Sequence, residues 1–284
     1  MMNRWLPPIA SEHGPQIDSS LVWVHWLMAL LFIGWLAFFL FCLMRFRRSR
    51  NPVASHTGAT SNASSWLEGG VALAEAILLV GLSIPLWADR VAGFPPEKDS
   101  TVVRLVAEQF AWNVHYPGPD GIFGRTAIDK IDVQTNPLGI DRSDPSAKDD
   151  VFTVNQLRLP VGKPAIVHLS SKDVIHSFNV PEMRIKQDAV PGIEIPVWWV
   201  PTVTTAEMRQ RLGKPEFVYE IACAQLCGLG HYRMRGFVTI EEPADFQKWM
   251  DEQVAAAQAL SAAVRFLSFS SVAGGSFAAA FSIW

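Results

Sequence analysis

The segment EIACAQLCGLGHYRMRGFVTI, residues Glu220–Ile240, contains two of the three cysteines in the 284-residue chain. A histidine and a methionine follow in the same segment, so it holds four side chains that bind metals: Cys223, Cys227, His231 and Met234. The flanking runs FVYEIAC and GFVTI are rich in β-branched and aromatic side chains, which favour strands. We therefore predict two strands joined by a loop that carries these four side chains.

Three kinds of site fit the cysteine pair. Two cysteines in an oxidising compartment usually form a disulfide, although a bridge across so short a loop constrains little chain entropy and leaves the histidine and methionine unexplained. Structural zinc sites use Cys and His, often with a C-x2-C spacing, and do not use a thioether. Copper electron-transfer sites combine Cys, His and a weak Met ligand. The spacing alone leaves all three open.

A copper electron-transfer site requires a second histidine. The candidate is His176, which lies far upstream in KDVIHSFNVPEM. The second cysteine departs from a site for one copper ion. Two thiolates on one loop are able to bridge two copper ions, which would share the charge and reduce the rearrangement that accompanies each electron.

The region from Thr101 onward has the pattern of a β domain. Short apolar runs such as AIVHLSS, HSFNV and PVWWV alternate with turn residues, which predicts an all-β sandwich or barrel. Residues 118–150 are rich in turn residues and charge and predict long loops or an inserted hairpin. Pro243 and the acidic residues after it predict the start of a C-terminal helix.

Two apolar segments precede the β region. Leu21–Phe46 is almost wholly apolar and long enough to cross a hydrocarbon core of about 30 Å as a helix. A second run, Val71–Trp87, is extended by apolar neighbours. The loop between them begins with a basic cluster that marks the cytoplasmic side: Arg45, Arg47, Arg48 and Arg50. We predict a hairpin of two spans in the lipid bilayer, with both chain ends outside the cytoplasm. The net charge of −3 does not favour nucleic-acid binding.

Together these features resemble subunit II of the haem–copper cytochrome c oxidases. The family's ligand loop, C-x-E-x-C-G-x-x-H-x-x-M, is present as CAQLCGLGHYRM with one change, and DVIHSFNVP and KQDAVPG are also similar to family segments. The resemblance implies a membrane-anchored all-β fold, in which a two-helix transmembrane hairpin precedes a cupredoxin-like Greek-key β-sandwich and a C-terminal helix. The implied parts are an extracytoplasmic segment 1–20, spans 21–46 and 66–88 around a cytoplasmic loop 47–65, a copper A domain 101–242, and a helix and tail 243–284.

The resemblance also implies a dinuclear copper A centre. Its ligands carry over to the side chains of His176, Cys223, Cys227, His231 and Met234 and to the backbone carbonyl of Gln225. Many relatives have Glu at position 225, whose carboxylate also binds magnesium at the contact with subunit I. Glutamine offers a hard cation only a neutral amide oxygen. The copper ligands are therefore retained, and the magnesium site is in doubt.

Two further roles follow from the resemblance. Aromatic residues of the family take up electrons from cytochrome c, and Phe110 and Trp112 hold the matching positions, with Phe110 where relatives have tryptophan. The alternative role for both is core packing. Glu68 matches a glutamate at the mouth of a proton path into subunit I, and its alternative is a solvated residue at the membrane interface. Glu75, two helical turns later, lies on the same helix face.

The implied function is electron transfer within a cytochrome c oxidase complex. Electrons from an extracytoplasmic donor, expected to be cytochrome c, would pass through the copper centre to the haems of subunit I, where oxygen becomes water and protons are pumped. The implied partners are subunit I, other oxidase subunits and the donor, with the copper domain on the periplasmic side of the cell inner (plasma) membrane. The alternatives are a membrane-tethered copper carrier, a quinol oxidase subunit II, which lacks the copper ligands, and a nitrous oxide reductase, which needs a large catalytic domain.

Overall fold

The computed structural model describes residues 5–53, 56–57 and 61–273. The chain divides into a helical unit, which contains His13–Phe94, and a β unit, which contains Ala10–Glu12 and the chain from Pro95 onward. The helical unit carries the two apolar segments, and the β unit carries the strands.

The helical unit consists of two long apolar helical segments. The first, α1, spans Gly14–Arg45 with Pro15 in its first turn, where a missing N–H costs no hydrogen bond. The second comprises α2 (Ala63–Leu78), a π-helical stretch (Leu79–Ser83) and α3 (Ile84–Ala92). The two segments have hydropathies of 2.6 and 2.0, and their apolar side chains are not buried within the protein. Both are long enough to cross a bilayer, so the chain is anchored in a membrane.

The π-helical stretch has a local cause in Pro85, which lies in the first turn of α3. Proline has no N–H to donate to the carbonyl of Gly81, four residues earlier, and its ring crowds that carbonyl. A wider turn before the proline relieves the crowding without ending the helix. The apolar segment therefore continues through Pro85 as one helical rod.

The β unit is a sandwich of two five-stranded sheets. Its strands are β1 Thr101–Glu108, β2 Ala111–Tyr116, β3 Val151–Val154, β4 Gln156–Pro160, β5 Ala165–Ser171, β6 His176–Val180, β7 Ile185–Ala189, β8 Ile195–Trp199, β9 Tyr219–Cys223 and β10 Arg235–Glu241. One sheet has the order β3-β2-β1-β5-β8 and the other β4-β10-β9-β6-β7. Parallel pairing of β1 with β5 and of β10 with β4 requires the chain to cross between the sheets. The predicted β-sandwich is confirmed.

Alternate side chains of the strands fill the space between the sheets. In β1, Val103, Leu105 and Ala107 are fully buried, and the residues between them are partly exposed. The alternation arises because successive side chains of a strand point to opposite faces. Trp112 and Trp199 add large aromatic surfaces to the same core. Complete burial of a large apolar side chain stabilises the fold by about 1.5–3 kcal/mol.

Residues 117–150 form an insertion between β2 and β3. The insertion contains short 3-10 turns and isolated bridges, such as Thr126 with Ile140, so it consists of long loops rather than a hairpin. It has a small apolar cluster of its own, made by Leu138, Ile140 and Ala147. A buried hydrogen bond of 2.7 Å between His115 Nε2 and Asp150 Oδ2 ties its end to β2.

The segment Ala10–Glu12, just before α1, belongs to the β unit. The Ala10 amide donates to the Glu182 carbonyl at 2.8 Å, and the Ala10 carbonyl accepts from the Thr202 amide at 2.9 Å. Ala10 is fully buried in the core. Because this segment is part of the β unit, α1 begins shortly after residues that pack with the strands.

A fourth helix, α4, spans Thr205–Leu212, and the predicted C-terminal helix is present as α5, Pro243–Ala273. The ring of Trp249 in α5 lies 5.4 Å from that of Tyr116. The side chains of Met250 and Val254 are buried in the core of the β unit. The rest of the predicted tail, 274–284, lies outside the described residues.

Candidate metal centre

The predicted ligands come together at one site of the β unit. His176 is the first residue of β6, and Cys223 is the last residue of β9. The two strands are antiparallel neighbours whose register pairs Phe178 with Cys223, so the start of β6 lies beside the end of β9. The other three ligand candidates lie between β9 and the start of β10: Cys227, His231 and Met234.

The two cysteine sulfur atoms form the middle of the site. Their Sγ atoms are 3.8 Å apart, whereas a disulfide bond measures about 2.05 Å, so both are free thiols. Cys223 Sγ lies 3.9 Å from Nδ1 of His176, and Cys227 Sγ lies 3.6 Å from Nδ1 of His231. Each thiol therefore has an imidazole within 4 Å, and His231 also hydrogen-bonds with Cys223.

Two weaker donors complete the site. Met234 Sδ lies 3.7 Å from Cys227 Sγ, and the Gln225 carbonyl oxygen lies 3.2 Å from Cys223 Sγ. Cys227 and Met234 are only 3% and 2% exposed, and His176 is fully buried. Cys223 and His231 are partly exposed, so water has little access only to the donor atoms of the other three side chains.

This donor set fits copper. The ligand atoms of His176, Cys223 and Cys227 lie within 4.8 Å of one another. Thiolates, a thioether and imidazoles are the soft and intermediate ligands that copper prefers, and structural zinc sites use four Cys or His ligands without a thioether. We therefore interpret the cluster as a copper-binding site.

The same loop does not fit magnesium. The side chain of Gln225 is exposed and neutral, and residues 224–234 contain no Asp or Glu. Magnesium prefers carboxylate, phosphate and water oxygens in a near-octahedral arrangement. Glutamine at position 225 thus removes the charged ligand that the loop would need.

Asp173 orients His176, and the sequence interpretation did not identify this residue. Asp173 Oδ1 accepts a hydrogen bond of 2.8 Å from Nε2 of His176. An Nε2–H that is held in this way leaves the lone pair of Nδ1 directed at the thiols. Burial lowers the pKa of His176, but its hydrogen bonds with Cys223 and Asp173 raise that pKa above its ordinary value. The signal available in the sequence was an aspartate three residues before the histidine in DVIH.

The two thiols differ in acidity. Burial raises the pKa of Cys223, but hydrogen bonds with His176 and with nearby backbone groups outweigh burial and lower that pKa to about 6. Burial and the neighbouring Cys223 raise the pKa of Cys227 to about 11. One thiolate therefore forms readily, whereas the second requires a bound cation to compensate its charge. Metal binding to thiols releases protons for this reason.

The turn from β1 to β2 packs against the ligand loop through Gln109 and Phe110. Gln109 Nε2 donates a hydrogen bond of 2.6 Å to the Cys227 carbonyl. A Cβ at Gly228, where φ is +128°, would stand 2.7 Å from that nitrogen, and a Cβ at Gly230 would stand 2.5 Å from the Phe110 ring. The two glycines therefore allow the turn to approach the loop. Gln109 was not identified from the sequence, although it directly precedes Phe110.

Trp112 lies inside the sandwich, behind the site. It is fully buried, and its ring centroid is 6.2 Å from that of His176 and 6.1 Å from that of Phe178. Phe110 is only partly buried and packs on the core. Of the two aromatic residues, Phe110 is the one with surface that a partner protein can reach.

The two carboxylates of the membrane segment are not part of this cluster. Glu68 lies in the second turn of α2, and Glu75 follows two turns later. Both side chains are exposed within the helical unit. The structure thus places Glu68 on an apolar helix, and none of the residues that it describes is a hydrogen-bond partner of the Glu68 side chain.

Two comparisons with known proteins identify the family. Residues 101–241 match the family model of the cytochrome c oxidase subunit II periplasmic domain. The alternative cytochrome c oxidase subunit 2 of Bradyrhizobium diazoefficiens is 32% identical over 250 residues, which cover 88% of this chain and 84% of that protein. The chain belongs to the cytochrome c oxidase subunit II family.

Two further proteins are similar to this chain. The haem–copper oxidase subunit 2 of Aeropyrum pernix is 26% identical over 248 residues, which cover 81% of this chain and 89% of that protein. The solved periplasmic domain of cytochrome oxidase subunit II from Bradyrhizobium japonicum is 25% identical, covers 56% of this chain and 95% of its own, and has a TM-score of 0.38. The family predicted from the ligand loop is confirmed. This subunit II is therefore part of an oxidase complex and carries its β unit on the periplasmic side of a membrane.

Proposed function

We propose that this subunit takes up electrons one at a time at a dinuclear copper A site and passes them to the haems of subunit I, where oxygen is reduced to water and protons are pumped. The observation that supports the proposal is the pair of thiols 3.8 Å apart, each beside an imidazole. Two thiolates between two imidazoles provide two similar halves, one for each copper ion. A blue-copper site for a single ion uses only one thiolate.

Six residues would hold the two copper ions. Their ligands would be the thiolates of Cys223 and Cys227, the imidazoles of His176 and His231, the thioether of Met234 and the backbone carbonyl of Gln225. Copper, when bound, gains and loses one electron at a time and so serves as the electron carrier. The fold around these residues would keep the donor atoms in place and shield those of His176, Cys227 and Met234 from water.

The β-sandwich holds the ligand loop at both of its ends. The Cys223 amide donates to the Met234 carbonyl at 3.2 Å, and the Ala224 amide donates to the Ser177 carbonyl at 3.0 Å. The first bond joins the two ends of the loop, and the second connects the loop to β6, which belongs to the same sheet as β9 and β10. Ligands on paired strands move little when the charge of the site changes, and a small rearrangement favours fast electron transfer.

An apolar surface of the ligand loop supports contact with an electron donor, which we expect to be cytochrome c or a similar protein. Leu226, Leu229 and Tyr232 are 79%, 97% and 84% exposed, and exposed apolar patches mark interaction sites. Phe110 packs against the same loop. We assign electron uptake to Phe110 at the surface, with Trp112 behind it.

The membrane segments would contact subunit I and other oxidase subunits in the cell inner (plasma) membrane. We propose residues 21–46 and 66–88 as the membrane spans and residues 101–242 as the copper domain. Glu68 is proposed for a proton path into subunit I, because an ionisable side chain in an apolar segment is costly and is a functional candidate for that reason.

A membrane-tethered copper carrier is the alternative that has the same ligand types. A carrier exchanges its metal with partners and needs accessible ligands. In this subunit, His176, Cys227 and Met234 are almost completely buried. That burial favours copper that is retained for electron transfer.

The proposal is tested on the full-length chain, purified in detergent and loaded with copper. We expect two copper ions per chain and, in the oxidised form, an electron-spin resonance spectrum in which one unpaired electron couples to both copper nuclei. One copper ion per chain, zinc in its place, or a spectrum from a single nucleus would contradict the proposal.

A further inference from the structure

Gln109 contacts both segments that carry the proposed copper ligands. It follows the last residue of β1 and belongs to the turn into β2. None of the proposed ligands lies on either strand. The turn nevertheless reaches the ligand loop on one side and the loop before β6 on the other.

The side chain of Gln109 holds the ligand loop. Its Nε2 donates a hydrogen bond of 2.6 Å to the Cys227 carbonyl, and Cys227 is one of the two central thiols. The absence of a side chain at Gly228 leaves room for this amide, because a Cβ there would stand 2.7 Å from Nε2. A carbonyl accepts only from a donor, so an amide can make this bond and a carboxylate cannot.

The backbone of Gln109 holds the histidine side of the site. Its N–H donates a hydrogen bond of 2.7 Å to Oδ2 of Asp173. The other oxygen of Asp173, Oδ1, lies 2.8 Å from Nε2 of His176. A single residue therefore connects the His176 segment, through Asp173, with the Cys227 segment.

The position of Gln109 is itself restrained by its neighbours. The preceding Glu108 accepts hydrogen bonds from Lys172 at 2.7 Å and from Asn113 at 2.8 Å. The Lys172 amide also donates to the Ala107 carbonyl at 3.0 Å. The end of β1 is thus fixed beside the loop that carries Asp173, and the Gln109 side chain extends from a rigid base.

We propose that Gln109 is a positioning residue for the metal centre: its amide ties the Cys227 loop to the His176 segment and so maintains the separation of the ligands. The inference rests on the proposed copper site. Residues that hydrogen-bond to metal ligands, and do not bind the metal themselves, typically contribute about 10- to 100-fold to metal affinity. Loss of the Gln109 amide should therefore loosen the loop and weaken metal retention without preventing the fold.

The test compares Gln109→Met and Gln109→Glu in the full-length chain in detergent. Methionine keeps the length of the side chain and removes the donor. Glutamate keeps the shape and replaces the donor with an oxygen that repels the Cys227 carbonyl. Gln210→Met is the matched control, because Gln210 is exposed on α4, which carries none of the proposed ligands.

Two readouts separate this inference from the proposed function. The first is hydrogen exchange of amides 224–234 in the metal-free chain, which does not depend on copper. The second is the rate of copper loss to a chelator, together with the electron-spin resonance spectrum and reduction potential of the loaded chain. We expect both Gln109 variants to exchange faster in this loop, to lose copper about tenfold faster or more, and to shift the spectrum and potential. The control should match the wild type.

Three outcomes decide the matter. Wild-type exchange and wild-type copper loss in Gln109→Met would overturn the inference even if the wild type holds two copper ions. Faster exchange throughout the β unit with a lower unfolding temperature would also overturn it, because the role would then be general stability. If the wild type binds no copper, the proposed function fails, and the exchange measurement still decides whether Gln109 restrains the loop.

Discussion

The ring of Phe110 lies against the backbone of Gly230 in the ligand loop: a Cβ added to Gly230 would stand 2.5 Å from Cδ2 of the ring. Phe110 is partly buried, whereas Trp112, two residues later, is fully buried beside His176. Phe110 therefore connects the protein surface with the loop that holds the proposed copper ligands. Electron transfer from this ring to the proposed copper site would therefore have a short path through the ligand loop.

We expect Phe110→Ala to slow electron transfer from the native donor and to leave the copper spectrum intact. Loss of an aromatic anchor from an interface costs about 1–2 kcal/mol or more, which corresponds to about fivefold to thirtyfold in the rate if the lost contact stabilises the reactive complex. Stopped-flow measurement of copper reduction in the complete oxidase gives this rate directly.

The control for this variant is Ile128→Ala, which removes an exposed apolar side chain from the insertion. Docking should depend only modestly on salt, because the ligand loop from 224 to 234 carries one permanent charge, at Arg233. Unchanged rates in Phe110→Ala would place electron uptake elsewhere. A fall of orders of magnitude between low and physiological salt would show that charge dominates docking.

The thiol pair predicts that neither cysteine can be replaced by serine without loss of the shared-electron spectrum. A hydroxyl is harder than a thiolate and does not bridge two copper ions in its place. We expect Cys223→Ser and Cys227→Ser to hold at most one copper ion per chain, measured by metal analysis and electron-spin resonance. Cys42→Ser changes the third cysteine, which lies in α1, and should behave as the wild type. A coupled two-copper spectrum in either loop variant would refute the assignment.

Gln225 should contribute its backbone and not its side chain. Its carbonyl oxygen lies 3.2 Å from Cys223 Sγ, and its side chain is exposed. Gln225→Ala should therefore retain the copper content and spectrum. Gln225→Glu adds a carboxylate at the proposed contact with subunit I and should create or strengthen a divalent-cation site in the complex, detectable with manganese by electron-spin resonance. Loss of copper from Gln225→Ala would contradict this assignment.

The insertion should lose order in acid. Hydrogen bonds from Thr135 lower the pKa of Asp132, and hydrogen bonds from Ser143 lower the pKa of Asp141. A carboxyl whose pKa is lowered in the folded state stabilises it above the unfolded pKa of about 3.9, and the stabilisation is lost as the pH falls through the lower folded pKa. Amide exchange in residues 125–146, corrected for its intrinsic pH dependence, should therefore rise as the pH falls below about 4.

Asp132→Asn should raise amide exchange in residues 125–146 at neutral pH, because the neutral amide is a weaker acceptor for Thr135 than the carboxylate. Asp129→Asn is the control, since the Asp129 carboxylate accepts none of the turn hydrogen bonds described for Asp132 and Asp141. Equal exchange at pH 7 and pH 2.5 in the wild type would show that these aspartates do not maintain the insertion.

The membrane topology can be tested with reporter fusions. Ala10–Glu12 is part of the β unit, and the basic cluster after α1 favours the cytoplasm. A reporter that is active only outside the cytoplasm should work when fused after Met250 and fail when inserted after Arg50. The opposite pattern would place the β unit in the cytoplasm and exclude the proposed electron donor.

The sequence by itself was sufficient for the parts of the site whose residues lie close together along the chain. Cys223, Cys227, His231 and Met234 share one short loop, so their spacing limits the chemistry before any tertiary contact is known. The two spans were predictable for a similar reason, because a run of about twenty apolar residues has few other uses. His176 required more than spacing, and its place beside Cys223 depends on the pairing of β6 with β9.

Only the tertiary structure decided which residues hold the proposed ligands in place through hydrogen bonds and packing. Gln109 lies 118 residues before Cys227, and the turn that carries it reaches the ligand loop only because the two sheets pack face to face. Trp112 is buried because it lies in β2 and points into the sandwich, whereas Phe110 is partly exposed because it lies in the turn before β2. Ala10–Glu12 joins the β unit across a greater distance in sequence, since Ala10 pairs with Glu182 and Thr202. A hydrogen bond acts over about 3 Å, and such proximity between distant segments arises from strand pairing and packing, which local residue patterns do not specify.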